Sequence, residues 1–310
     1  MNAAAEPIGG VAVASWTDRN RDWLVASMEG LRLRLEGGSA GDFAEAEGFT
    51  PALAHCARVF GLTTFEAEVL LLCVGTELDD GVRAAVARMN GGASARANFG
   101  LALARLSAPH WGALSPVGAL RFWHLVEPEA GPAVALADLR VDERILHFVA
   151  GVAATDPVLD GVTFSARGAA VDPADRALVE RMARLVAEPG GTMVVLHGGG
   201  QDLAARRDMA LAVASRGVLW VEAAALPTEP VALARIARHL DREALLTGAL
   251  VVLAMPADEV MPAAIDLVAR MRVGMLWLGP DDPRLAGMPM KRRVLRFGAR
   301  RRRHASGALR

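Results

Sequence analysis

The feature that most limits what this chain can become is an alternation in residues 172–298. Apolar runs at 192–197, 218–222, 249–254, 275–278 and 294–297 are separated by helical periodicity at about 204–215, 231–246 and 260–271. Continuous apolar runs suit strands buried on both faces, and strands separated by helices form a parallel sheet covered on both sides. A further helix precedes the first strand. Asp172 and Pro173 read as its N-cap and first helical residue, with Leu178, Met182, Leu185 and Val186 on its buried stripe. Ligands of such sheets bind beyond the carboxyl ends of the strands. The loop after the first strand is therefore where chemistry is to be sought.

That loop begins Gly198-Gly199-Gly200-Gln201-Asp202 and runs into a helical pattern containing Arg206 and Arg207. In this place the pattern G-x-x-x-x-G-K-[ST] cradles phosphates with backbone N–H groups, reaches them with lysine and holds Mg²⁺ with a hydroxyl. Counting back from the helix puts Arg206 at the lysine position and Arg207 at the hydroxyl position. Arginine pairs with phosphate but does not ligate Mg²⁺. Gly198, Gly199, Gly200, Arg206 and Arg207 are thus the candidate binding residues, forming a degenerate phosphate loop. The plainer alternative is a tight strand-to-helix turn, with Arg206 exposed and paired to an acid.

The other parts of a phosphoryl-transfer site are also missing. The third strand runs into Ala254-Met255-Pro256 where such a site needs an aspartate and a glutamate, and Asp258 and Glu259 fall beyond the proline. The fourth ends in Leu278-Gly279, without a polar residue. Phosphoryl transfer rests on positioning and charge neutralisation, so these losses together should abolish it. We expect no catalytic residue. No metal ligand set is expected either, since the seven histidines show no metal-binding spacing. The ligand compatible with this loop is ATP or ADP without Mg²⁺.

The first half of the chain reads as helical. Leu24, Met28, Leu31, Leu33 and Leu35 mark one helix, closed by the glycines at 37 and 38. Residues 51–60 are amphipathic and end at Gly61. Thr63 and Glu66 have capping-box spacing, and the helix they open is apolar on nearly every face. Short helices are expected at 79–89, 98–106 and 143–149. Residues 119–126 alternate as a strand does, and 136–141 supplies a partner. Helices followed by a two-stranded element are how a winged helix reads. The acids Glu66 and Glu68 on the apolar helix, and Asp79 and Asp80 after it, make a poor phosphate surface. A protein-binding role suits it better.

Three stretches then carry a resemblance: residues 60–79 around Gly61, Thr63 and Glu66; residues 106–123 with His110, Trp111 and Trp123; and residues 139–146 around Asp142 and Arg144. Over residues 50–278 the chain resembles the AAA+ ATPases encoded with bacterial extracellular contractile injection systems, in which winged-helix and degenerate ATPase modules precede an active one. The resemblance implies a multidomain α and α/β fold, a winged-helix-like domain followed by a P-loop-type, AAA+-like parallel sheet domain. The corresponding segments are 1–48 (helical), 49–160 (winged-helix-like), 172–298 (degenerate AAA+-like) and 299–310 (basic tail). Neither a helical lid nor a second, active module follows. The implied role is a pseudo-ATPase acting as assembly or interaction subunit of such a system, in a homo-oligomer or with an active AAA+ subunit. The alternatives are the front portion of an ATPase whose active module is lost or encoded separately, and a winged-helix DNA-binding regulator.

Composition narrows the setting. Of 310 residues, 53% are hydrophobic and 22% charged, which supplies packed cores and argues against global disorder. Nine of the 34 Lys/Arg lie in residues 291–310 with no acid among them, so residues 1–290 hold 25 bases against 35 acids, a net −10. The run Arg300–Arg303 is the one segment suited to nucleic acid, and only non-specifically. Self-docking onto the acidic body is its alternative. Cys56 and Cys73 lack metal or redox spacing and read as buried apolar residues of a reducing compartment. The N-terminus lacks a basic and an apolar signal region, and no apolar run is long enough to span a membrane. The expected location is cytoplasmic.

Overall fold

The computed structural model describes residues 15–38, 48–131, 133–164, 166, 173–188, 193–197, 203–214, 216–256, 259–280, 282–286 and 294–298. The chain divides into two compact units, Met1–Ala154 and Thr155–Arg310.

In the first unit, α1 (Trp16–Leu35) starts at Ser15, whose hydroxyl accepts from the Asp18 N–H. Buried Asn20 ties α1 to both ends of the unit: its Nδ2 donates to the Val149 carbonyl at 3.0 Å, and its Oδ1 accepts from Ala52 N at 2.8 Å. α2 (Ala52–Phe60) ends where Gly61 adopts φ +67°, a left-handed C-cap open to glycine. α3 (Thr64–Leu78) opens with the expected capping box of Thr63 and Glu66. Every residue from Phe65 to Thr76 on it is buried, so α3 is the axis of the unit. Around it lie α4 (Asp80–Met89), α5 (Phe99–Arg105), a 3-10 turn at Trp111–Leu114 and α6 (Ala119–Phe122). β1 (Val126–Pro128) and β2 (Leu139–Val141) form an antiparallel hairpin, and α7 (Glu143–Val149) follows behind the Asp142 cap.

One expectation is corrected here. Residues 119–126 are not a strand: 119–122 close a helical turn and only Val126–Pro128 is extended. The break falls at His124, whose φ of +51° lies in the left-handed region, and its Nδ1 is 2.7 Å from Glu127 Oε1. Alternation alone does not see a residue that reverses the backbone.

The second unit contains a 3-10 turn at Pro157–Leu159, β3 (Thr163–Phe164), α8 (Arg176–Val186), β4 (Met193–His197), α9 (Leu203–Val213), β5 (Val218–Glu222), α10 (Pro230–Thr247), β6 (Leu250–Ala254), α11 (Pro262–Arg270), β7 (Met275–Leu278), α12 (Pro283–Ala286) and β8 (Val294–Gly298). The helix expected from Pro173 begins at Arg176, after a 3-10 turn at Pro173–Asp175, and Asp172 lies outside the described residues. The strands form one six-stranded sheet in the order β3-β5-β6-β7-β4-β8. Five are parallel, and β3 alone pairs antiparallel, on β5. β6 and β7 are buried along their whole length, as strands covered on both faces must be.

Successive side chains of each strand serve opposite cores. Val194, Val252 and Leu276 pack with Met182 of α8 and with Met209, Ala210 and Val213 of α9. Val195, Val251, Leu253 and Trp277 pack with Leu240 of α10 and Leu267 of α11. The topology explains the division. The β4-to-β5 crossover runs one way along the sheet, whereas β5-to-β6, β6-to-β7 and β7-to-β8 run the other. Right-handed crossovers in opposite directions put their helices on opposite faces.

Candidate functional site

The same reversal marks a site. β4 and β7 are parallel neighbours, with Leu196 opposite Leu278 at their carboxyl ends. The chain leaves β4 toward α9 on one face, and leaves β7 toward α12, whose Leu285 is buried in the core of the other face. Two adjacent strands whose connections part to opposite faces open a crevice, the topological switch point at which open α/β sheets bind ligands. The glycine loop follows β4 at this point. Gly198, Gly199 and Gly200 themselves lie outside the described residues.

Arg206 is 5% exposed. It stands three, four and seven residues before Met209, Ala210 and Val213, on the stripe of α9 that faces the sheet. Helical side chains lean toward the N-terminus of their helix, which for α9 is the end joined to β4 through the glycine loop. Among the described residues, none makes a hydrogen bond or ion pair with its side chain. The expectation of an exposed arginine is therefore corrected, while the acids nearest in sequence to the loop and to β6, Asp202 and Asp258, lie outside the described residues. The spacing with Met209, Ala210 and Val213 was the signal that pointed inward.

Arg207 goes elsewhere. It is exposed, and its guanidinium lies 5.2 Å from the centroid of the Trp220 ring on β5, a cation–π contact. Trp220 Nε1 in turn donates to Glu222 Oε1 at 2.6 Å. The two arginines are thus parted, Arg206 on the buried side of α9 and Arg207 held over β5.

The carboxylate positions are sealed. Met255, just past the end of β6, is buried in the core, and its N–H donates to the Leu278 carbonyl at 2.8 Å. A Cβ built at Gly279 would lie 2.5 Å from both Cβ and Cγ of Met255. Only glycine lets the ends of β6 and β7 close this tightly. Gly279→Ala forces Met255 or the β7 end to move, and we expect a loss of about 1–3 kcal/mol from overpacking, read as a lowered urea midpoint; an unchanged midpoint would show that the contact yields freely. Glu259 is exposed and Asp258 lies outside the described residues. Asp282 is engaged by Arg284 through two side-chain bonds of 2.9 and 2.8 Å, which hold its pKa below the ordinary carboxylate value. No group of three or more His, Cys, Asp or Glu among the described residues is arranged to hold a metal. With methionine at the carboxylate position and arginine at the hydroxyl position, these residues do not fit a Mg²⁺–nucleotide.

The first unit offers a different kind of surface. Glu66 and Glu68 are buried at 5% and 0% exposure, so they form no part of a surface. The hairpin packs on both helices, β2 against α3 and β1 against the short α6. Of the nearby cations, Arg96 pairs with Glu129 and Arg121 Nη1 donates to the Leu114 carbonyl at 2.8 Å, while Arg140 on β2 is exposed. Beside them Trp111 is 65% and Val117 82% exposed. A Cβ at Gly118 would lie 2.7 Å from the Gly112 carbonyl oxygen, so a turn closed on these two glycines carries Trp111 and Val117 at its ends. The four tryptophans at 111, 123, 220 and 277 read alike as core residues. Trp123, Trp220 and Trp277 are buried and Trp111 is not. Cys56 and Cys73 are buried thiols outside any disulfide, and burial pushes the Cys73 pKa up, which leaves Cys73 unreactive.

Residues 42–162 match the family described as "Winged helix domain, variant". Compared with curated proteins, the chain finds no match. Among the described residues no helix is long and apolar enough to cross a membrane.

Proposed function

We propose that this chain is a non-hydrolysing, AAA+-like assembly or interaction subunit, of the kind encoded with bacterial contractile injection systems. The observation that carries the reading is the closure of Met255 onto Gly279, which puts core where a hydrolase of this type needs an ionised acid. A parallel sheet with its glycine loop at the switch point supports the nucleotide-fold ancestry. The interaction role is supported by the exposed Trp111 and Val117, since an exposed tryptophan is a common binding anchor. The partner is protein, either further copies of the chain or an active AAA+ subunit.

The phosphate loop keeps one function in this reading. A buried guanidinium favours an anion as its partner, and Arg206 with the N-terminal turn of α9 would hold the phosphates of ATP or ADP without a metal. Titration with a fluorescent ATP analogue, with and without Mg²⁺, tests both statements when phosphate release is followed on the same sample. We expect binding indifferent to Mg²⁺, weakened about tenfold or more by Arg206→Ala as for loss of a charged hydrogen bond, and no release. Mg²⁺-dependent release abolished by the same substitution would sink the proposal.

The winged-helix match favours a second reading, a DNA-binding regulator. Salt-sensitive duplex binding that survives removal of residues 298–310 would support it. The engaged Arg96 and Arg121 argue against it.

A further inference from the structure

We infer that residues 299–310 dock back onto the carboxyl edge of the second unit, in the groove between residues 157–162 and the first turns of α10. This goes beyond the proposed function and does not rest on it.

The groove has a volume of about 820 Å³. Its floor is apolar, with Val158, Val162, Val231 and Ile236 among its lining. Asp160 and Glu229 stand on its rim against one base, Arg235. Val231 is 76% exposed, an apolar side chain at the start of a helix with nothing over it among the described residues. The N-terminal end of α10 would itself repel a cation. Glu229 counters this, because its carboxylate accepts from Val231 N at 2.9 Å and Ala232 N at 2.6 Å. Glu222, exposed at the end of β5, adds a third carboxylate three residues before Ala225 of the lining.

The occupant follows from charge and reach. Residues 299–310 carry Arg300, Arg301, Arg302, Arg303 and Arg310, no acid, and the apolar pair Ala308-Leu309. They continue from β8, which is parallel to β4 and so ends at the same edge as β5. Four strand spacings separate β8 from β5 in the sheet order, roughly 19 Å at about 4.8 Å each. Twelve extended residues span about 40 Å. The tail therefore reaches the groove with slack, its arginines against Asp160 and Glu229 and Leu309 over the valines. Tethering supplies an effective concentration in the mM range, so even weak docking keeps the tail engaged. The consequence is autoinhibitory: the one segment suited to phosphate backbones is held on the protein's own acids.

The test uses the full chain. Asp160→Lys and Val231→Lys change two exposed rim residues, and an unchanged melting curve shows that the fold survives. Trypsin cleavage within Arg300–Arg303 is compared with that of a free peptide of the same sequence. We expect about tenfold slower cleavage in the protein at low salt, with protection lost at about 0.5 M salt, where charges are screened within a few Å, and lost in the double variant. The variant should also bind a short DNA duplex about tenfold more tightly at low salt, as release of a competing tail requires. Cleavage at the peptide's rate in the unaltered protein, or equal duplex affinity with and without the rim substitutions, overturns the inference.

Discussion

Replacing Asp156 by asparagine should cost the second unit about 3–5 kcal/mol, the penalty for stripping a buried ion pair of one partner. Asp156 is 3% exposed, and its Oδ2 lies 2.8 Å from His239 Nδ1 and 2.7 Å from Arg242 Nη2. Its Oδ1 also accepts from the Val158 N–H at 3.0 Å, capping the turn at Pro157–Leu159. The carboxylate therefore fixes that turn onto α10. Arg242 is fully buried, and an asparagine amide offers it no countercharge. For a unit of this size the loss corresponds to a melting temperature lower by roughly 10 °C.

The pH dependence gives this prediction a second readout. Burial alone would raise the Asp156 pKa, but the His239 hydrogen bond and the Arg242 charge outweigh it and bring the value from 3.8 to about 2. A folded-state pKa below the unfolded one means stabilisation present above the unfolded value and lost as pH falls through the folded one. About 2 kcal/mol should disappear between roughly pH 4 and pH 2 in the parent chain and not in Asp156→Asn. Urea unfolding across that window decides it. Parallel acid limbs for the two proteins would mean that the triad is not the group titrating.

The second large effect is expected at Glu68 in the first unit. This carboxylate is 0% exposed on α3, accepts from Arg34 Nη1 of α1, and accepts from Ser107 N at 2.7 Å just beyond α5. Arg34 Nη1 also donates to Ser107 Oγ at 3.3 Å. Glu68→Ala leaves a nearly buried guanidinium and a backbone donor without their acceptor, which should cost about 3–5 kcal/mol. Replacing both charges by apolar residues, as in Arg34→Met with Glu68→Leu, should recover much of the loss, because the pair's own desolvation is relieved as well. Chemical denaturation of the two variants checks this. A single-variant loss under about 1 kcal/mol would put the pair with weak surface bridges.

Local chemistry made much of the fold legible. The strands at 218–222 and 275–278 stand where continuous apolar runs place them, and the other three agree within a residue or so at their ends. The Thr63–Glu66 box and Gly61 are single-residue devices whose geometry depends on near neighbours alone, and both form as expected. What escaped depends on distance or on a reversal. Asp156 meets His239 across 83 residues, and a lone aspartate in a loop carries no sign of that. Glu68 looked like a surface acid because the residues around it say nothing of Arg34. Of the site, the sequence offers a glycine loop that lies outside the described residues and Ala254-Met255 where carboxylates would stand. The parting of Arg206 from Arg207 depends on which side of α9 meets the sheet, and that required the strand order.

The two residues of β3 bear on how the β5 edge of the sheet resists aggregation. β5, with Val218, Leu219, Trp220 and Val221, is the kind of apolar strand that recruits another chain when its edge is bare. β3 lies along that edge with Thr163 opposite Val221 and Phe164 opposite Trp220, and its antiparallel direction ends the parallel ladder. A strand this short offers a newcomer almost no backbone to extend, so the same two residues pair the Trp220–Val221 stretch of the edge and make that stretch a poor template for aggregation.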